Sequence, residues 1–198
     1  MELKKHVKLG ITGSIGSGKT TILSMFKNRG IKCWSADSSV HKLYKKGCLG
    51  YLLLAEKLPE ILNTDKVDRR ILKQSIKEKK ITLCEIEKII HPLVKNDRTL
   101  FYKKNIDEPL LVFEIPLLFE TNSKLEFDKI LVISCSYAIQ KERVLNRGNI
   151  TESDFKFLLG KQMSPEQKIS QADYHIDTSY GLNKTRADVN KLLEFLLK

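Results

Sequence analysis

The run LGITGSIGSGKTT, residues 9–21, constrains this chain more than any other stretch. Within it Gly13, Ser14, Ile15, Gly16, Ser17, Gly18, Lys19 and Thr20 match G-x-x-x-x-G-K-[ST]. Glycines there let the backbone wrap an anion without Cβ obstruction, and successive N–H groups point at it. The pattern carries meaning only between a strand and a helix. Residues 7–11 (VKLGI) read as a short apolar strand, and Ile22, Leu23, Met25 and Phe26 recur at helical spacing before Gly30, a natural helix terminator. The loop, continued by Thr21 into the helix, is therefore a cradle for nucleotide phosphates. Lys19 supplies a point charge for the β and γ phosphates, and the Thr20 hydroxyl is a Mg²⁺ ligand.

The remainder of the chain alternates strands and helices around a helical insertion. Residues 31–34 read as a second strand, and the following SADSS carries helix-starting residues, which puts Asp37 near a strand's carboxyl end. From about residue 41 to 105, apolar residues recur at spacings of three and four, with turn signals at Pro59 and at Asn63 to Asp65. Strands resume at residues 110–113 (LLVF) and 129–134 (KILVIS), and a polar, helix-rich stretch follows, in which Thr151 to Asp154 fits a capping sequence. A short ADYHIDTS strand and a last helix close the chain. The expected fold is α/β: a doubly wound parallel sheet with ligands at the carboxyl ends of its strands. One domain is expected, with its core at about residues 1–40, 106–140 and 172–198, a helical subdomain at about 41–105 and a lid at about 141–171.

A chain of 198 residues has room for one catalytic core, and 41% hydrophobic with 30% charged residues excludes wholesale disorder. No stretch approaches the roughly 18 apolar residues of a membrane span, the N-terminal MELKKHVKLGITG lacks a signal-peptide core, and a cytoplasmic address follows. Cys33, Cys48, Cys84 and Cys135 form no C-x-x-C pair and read as reduced thiols. The net charge of +11 suits either a nucleic-acid binder or an enzyme whose substrates both carry phosphates. The lysines are scattered, from Lys4 and Lys5 to Lys103 and Lys104, as on a solvated surface, and no basic-aromatic recognition motif accompanies them.

Several classes of protein use such a loop. A GTP switch needs Asp-x-x-Gly and Asn-Lys-x-Asp elements, which are missing, and LLVF ends in the single acid Glu114 rather than the paired acids of motor ATPases. A small kinase remains. It requires a group that orients the acceptor hydroxyl, cations for the moving phosphoryl group and a lid against water. Asp37 can fill the first role, although a helix N-cap would use it equally well. Arg143 and Arg147, four apart in QKERVLNR, would share a helix face and offer two guanidinium groups to phosphates, or simply face solvent. The alternatives are another small-molecule kinase, such as a nucleoside monophosphate kinase, or a basic nucleic-acid-binding ATPase.

Over nearly its whole length the chain resembles the dephospho-CoA kinase family. The likeness runs through LGITGSIGSGKTT, SAD with Asp37, VDRRIL, IIHPLV at residues 89–94, EIPLLFE at 114–120, QKERVLNR, KQMSPEQK and ADYHID at 172–177. The resemblance implies transfer of the γ phosphate of ATP, with Mg²⁺, to the ribose 3'-hydroxyl of dephospho-CoA, the last step of CoA biosynthesis. It makes ATP and dephospho-CoA the small-molecule partners, without nucleic acid or membrane, and leaves the oligomeric state open. Asp37 is implied as the base near that hydroxyl, with Thr12 and Lys19 lining the phosphate site. Arg143 is implied to stabilise charge, with Arg147 beside it on the ATP side. His91, Pro116 and Leu117 fall where the family meets its CoA-side substrate, and the middle helices would receive the pantetheine end; by itself, His91 before a proline in an apolar helix reads as a packed residue. The chain departs from the family's usual pattern at Ser35, Glu114, Lys66, Leu158 and Thr178, where Asp, Asp, Gly, Arg and Asn are common. Leu158 and Thr178 bear on lid charge and adenine contacts.

Overall fold

The computed structural model of the chain describes residues 6–63, 65–148 and 150–198. Lys4, Lys5 and Thr64 of the turn signal lie outside these. The short apolar runs become five strands: β1 (Val7–Thr12), β2 (Lys32–Ser35), β3 (Leu110–Glu114), β4 (Lys129–Ser134) and β5 (Tyr174–Asp177). They form one sheet in the order β2-β3-β1-β4-β5, and β1 runs parallel to both β3 and β4, as β4 does to β5. All five residues of β3 are buried, as are the central four of β4, which explains their unbroken apolar runs.

Helix α1 (Lys19–Lys27) follows β1 and α9 (Gly181–Leu196) follows β5; between them α6 (Tyr137–Leu145), α7 (Glu152–Gly160) and α8 (Pro165–Ile169) lie in sequence after β4. Ile22 and Phe26 of α1 and Val189, Leu192 and Leu193 of α9 pack with Leu9, Ile11, Val112, Leu131 and Ile133 of the sheet. Burying each such side chain is worth about 1.5–3 kcal/mol, so this cluster holds the strand ends in register. The chain leaves β1 toward one edge of the sheet and leaves its neighbour β4 toward the other. Their carboxyl ends are therefore the switch point at which open α/β sheets bind ligands.

Residues Ser35–Lys104 form a separate compact unit, apart from Met1–Trp34 with Asn105–Lys198. It contains α2 (Ala36–Leu43), α3 (Leu49–Lys57), α4 (Arg69–Lys77) and the 22-residue α5 (Leu83–Lys104) around Tyr51, Leu54, Leu58, Ile61, Val67, Leu72, Ile86 and Ile90. The Tyr51 hydroxyl donates to the Ile61 carbonyl at 2.9 Å, which satisfies its buried polar end. The unit starts at Ser35 rather than at about residue 41, because α2 packs on α5 and α3. Among the described residues no helix is long and apolar enough to cross a membrane.

Candidate active site

The phosphate loop takes its shape from three glycines. Gly16 and Gly18 lie at φ 77° and 98°, in the left-handed region that other residues avoid. An ideal Cβ on Gly13 would stand 2.2 Å from the Ile133 carbonyl oxygen, so only glycine lets the loop pass the end of β4. Gly18 caps α1 without a side-chain hydrogen bond, and no acid occupies the first turn. The start of α1 thus carries no side-chain cap, and the helix dipole there favours an anion. Lys19 Nζ donates to the carbonyls of Gly13 and Ser14 at 2.8 and 3.0 Å, which folds the ammonium over the loop. Thr20 and Thr21 are exposed at the start of the helix. Thr12 is fully buried, and its hydroxyl goes to the Pro116 carbonyl at 3.1 Å. It ties the end of β1 to the segment after β3.

Two side-chain amides hold the loop from the α6 and α7 side, and neither was singled out from the sequence. Gln140 Nε2 donates to the Ile15 carbonyl at 2.6 Å, and Gln162 Oε1 accepts the Ile15 N–H at 3.1 Å. Lys168 of α8 is also new. It is fully buried, 2.9 Å from Glu120 Oε1 but too oblique for a directed hydrogen bond, and Glu120 Oε1 accepts the Met163 N–H. The pair joins the two family strings EIPLLFE and KQMSPEQK across 48 positions (168 − 120), a connection no local periodicity announces. Burial alone pushes the Glu120 carboxyl up, but Lys168 and the Met163 N–H outweigh it and hold the carboxyl below its ordinary value of 4.5. A depressed folded value stabilises above the unfolded one and is lost as pH falls. Thermal unfolding of Glu120→Gln is expected to depend less on pH below about 4.5 than that of the parent protein. Parallel profiles would show that the pair does not contribute in this way.

On the α1 and α9 side, a cavity of about 450 Å³ is lined by Gly16, Gly18, Thr21, Arg143, Arg147, Thr178 and Leu182, among others. That volume is in the range of small-ligand sites. Arg143 lies in the last turn of α6, whereas Arg147 lies beyond the Asn146 C-cap, where Gly148 at φ 69° ends the helix. The expected helical spacing is therefore broken, although both arginines still line the cavity. Arg143 donates to Thr178 Oγ1 at 2.7 Å and to the Thr178 carbonyl at 3.0 Å. Burial pushes the Cys135 thiol up, more than the Arg143 charge lowers it, and its Sγ donates to the Gly16 carbonyl at 3.7 Å. It is a protonated packing group. The stretch after α6 holds two capping boxes, Thr151 with Asp154 as expected and Ser164 with Gln167 in addition, while Leu158 is on the surface of α7.

In the helical unit, Ser35 rather than Asp37 caps α2, its Oγ accepting from the Ser38 N–H at 3.3 Å. Asp37 lies exposed in the first turn, two residues past β2, so its carboxylate is not spent on capping. His91 and Pro92 are exposed on α5, so His91 is not the packed residue its apolar surroundings suggest. After β3, Leu118 and Phe119 enter the core, Pro116 is half-buried and Leu117 is exposed. Glu114 is buried at the end of β3, opposite Ile11. Within their own units, then, the loop, Arg143 and Arg147 converge on one cavity, and Asp37 and His91 are both accessible.

A β1–loop–α1 cradle at the switch point of a parallel sheet, with arginines on the adjoining cavity, defines a nucleotide-binding phosphotransferase of the P-loop kinase class. The fold is like that of TT1252 from Thermus thermophilus, with a TM-score of 0.79 at 24% identity over 98% of both chains. It is also like a dephospho-CoA kinase from Campylobacter jejuni, with a TM-score of 0.66 at 22% identity over 97% of this chain and 98% of the other. A dephospho-CoA kinase of Bartonella henselae is 40% identical over 192 residues, covering 96% of this chain and 98% of that one. The dephospho-CoA kinase family model matches residues 7–184. The chain belongs to the dephospho-CoA kinase family.

Proposed function

We propose that the protein phosphorylates the ribose 3'-hydroxyl of dephospho-CoA with the γ phosphate of ATP. The observation that carries this reading is an intact phosphate loop inside a family match that spans residues 7–184. The chemistry asks mainly for positioning and for charge spread over the moving phosphoryl group. Lys19 and the opening amides of α1 bind the phosphates, and Arg143 with Arg147 adds charge at the adjoining cavity. Asp37 aligns the acceptor hydroxyl and takes its proton; its exposure and its freedom from capping support that role. We assign His91, Pro116 and Leu117 to the CoA-side substrate, the helical unit to its pantetheine end, and α7 with α8 to the lid.

Among the described residues no cluster of three His, Cys, Asp or Glu could hold a metal. The donors present still suit Mg²⁺, which is bound in nucleotide sites by one or two protein oxygens with phosphates and water. Thr20 would hold it, and the ion would neutralise charge on the β and γ phosphates. We place the protein in the cytoplasm, in keeping with four free thiols, and take its basic charge as serving phosphorylated small molecules rather than nucleic acid. A panel of acceptors with γ-labelled ATP tests the reading. Dephospho-CoA is expected to accept label at least tenfold better, by kcat/KM, than nucleoside monophosphates or shikimate, a difference of about 1.4 kcal/mol. Preference for another acceptor, or label release only with DNA or RNA, would overturn it.

A further inference from the structure

We infer that Thr178 is a positioning residue for phosphoryl transfer, whose hydroxyl locks the Arg143 guanidinium to the phosphate loop. The inference deepens the proposed function and rests on Arg143 acting as a charge-stabilising group. Thr178 follows β5 directly and is 4% exposed. Its Oγ1 accepts from Arg143 at 2.7 Å while its own carbonyl accepts a second guanidinium N–H at 3.0 Å, so both prongs of the arginine fork close on one residue. The hydroxyl has one proton, and two loop-end carbonyls compete for it: Ser17 at 2.9 Å and Ser134 at 3.2 Å. The shorter contact leads into the phosphate loop.

Arg143, Thr178 and Ser17 are thereby one hydrogen-bonded chain, from a cation on the nucleotide cavity to the backbone that holds the phosphates. Such chains are worth more than their separate members in a water-poor setting, and their geometry is fixed before the ligand arrives. Shape reinforces the lock. A Cβ placed on Gly18 would lie 3.2 Å from both Cγ2 and Oγ1 of Thr178, so the methyl abuts the loop where it turns into α1. Threonine meets both demands: its branched Cβ is stiff, and its hydroxyl can give one hydrogen bond while it receives another. The residue that departs from the family's usual Asn thus aligns the transfer machinery.

A double-mutant cycle on kcat with Thr178→Val and Arg143→Ala tests this, because valine keeps the shape and loses the hydroxyl. Thr178→Val alone is expected to lower kcat by roughly tenfold or more while the KM for ATP moves by less than about threefold. In the Arg143→Ala background the same change is expected to cost less than about twofold, since the fork it serves is gone. Thr178→Ser keeps the hydroxyl and is expected to restore kcat to within about threefold of the parent. Multiplicative losses in the double variant, or a parental kcat in Thr178→Val, would overturn the inference. Should the valine variant fail to fold, Thr178→Ala replaces it beside Thr178→Ser, and equal kcat in those two would overturn the inference, because only the serine variant keeps the hydroxyl. The cycle is run with whichever acceptor the parent enzyme phosphorylates, so a wrong acceptor assignment leaves the coupling test intact.

Discussion

Asp37→Asn is expected to leave ATP affinity close to the parent value and to lower turnover by roughly 10²–10⁴-fold, the usual range for a general base. The substitution conserves shape and hydrogen-bond reach but removes the carboxylate to which we assign the acceptor proton. Because Ser35 supplies the α2 cap, neither the helix nor its entry angle depends on the Asp37 carboxylate, and stability should move by no more than a surface change does. That separates the effect from a folding defect, which loss of a true cap, worth typically about 1 kcal/mol, would blur. Steady-state turnover with saturating dephospho-CoA, set beside ATP titration of the same sample, reads both quantities. A turnover within threefold of the parent would remove Asp37 from the chemistry.

Lys19→Met is expected to damage binding and turnover together, with kcat/KM for ATP falling by roughly 10²–10³-fold. Two losses combine. In the proposed role the ammonium is the loop's point charge for the β and γ phosphates, and its bonds to the carbonyls of Gly13 and Ser14 also tether the loop. A lysine in the first turn of a helix opposes the macrodipole, an arrangement that makes sense only when an anion sits between them. In the methionine variant the lost carbonyl bonds and the relieved macrodipole oppose each other, so the ligand-free Tm should move little, while the rise in Tm on adding ATP should be much smaller than in the parent. An unchanged ATP-induced rise in Tm would contradict this role of Lys19.

The strands and the loop were legible because their signals are local. The runs at residues 110–113 and 129–134 are apolar because the sheet buries both faces there, and glycine spacing in the loop reports backbone geometry directly. Asp37 falls just past the end of β2, as read from the sequence, but that Ser35 and not Asp37 caps α2 needed the hydrogen bond of Ser35. Arg147 was misread as helical because the left-handed Gly148 that ends α6 looks, in sequence, like any exposed glycine. The contacts of Gln140 and Gln162 with Ile15, the Glu120–Lys168 pair and the Thr178 hub were out of reach for a different reason. Each joins positions from 35 to 161 residues apart, or more locally buried partners whose facing is set by the sheet. Their advance signs were indirect: Gln140 and Gln162 lie in the strings QKERVLNR and KQMSPEQK of the family likeness, Glu120 and Lys168 in IPLLFE and KQMSPEQK, and Thr178 stood out only as a departure from the family's usual Asn.

The central claim is a single transfer, from ATP to one hydroxyl of one acceptor. It is tested most directly by incubating the protein with ATP, Mg²⁺ and dephospho-CoA and following the products by phosphorus NMR with ADP release. The account predicts one new phosphomonoester, on the ribose 3'-oxygen, formed mole for mole with ADP. ADP without that phosphomonoester, or a phosphate on any other oxygen, would contradict it.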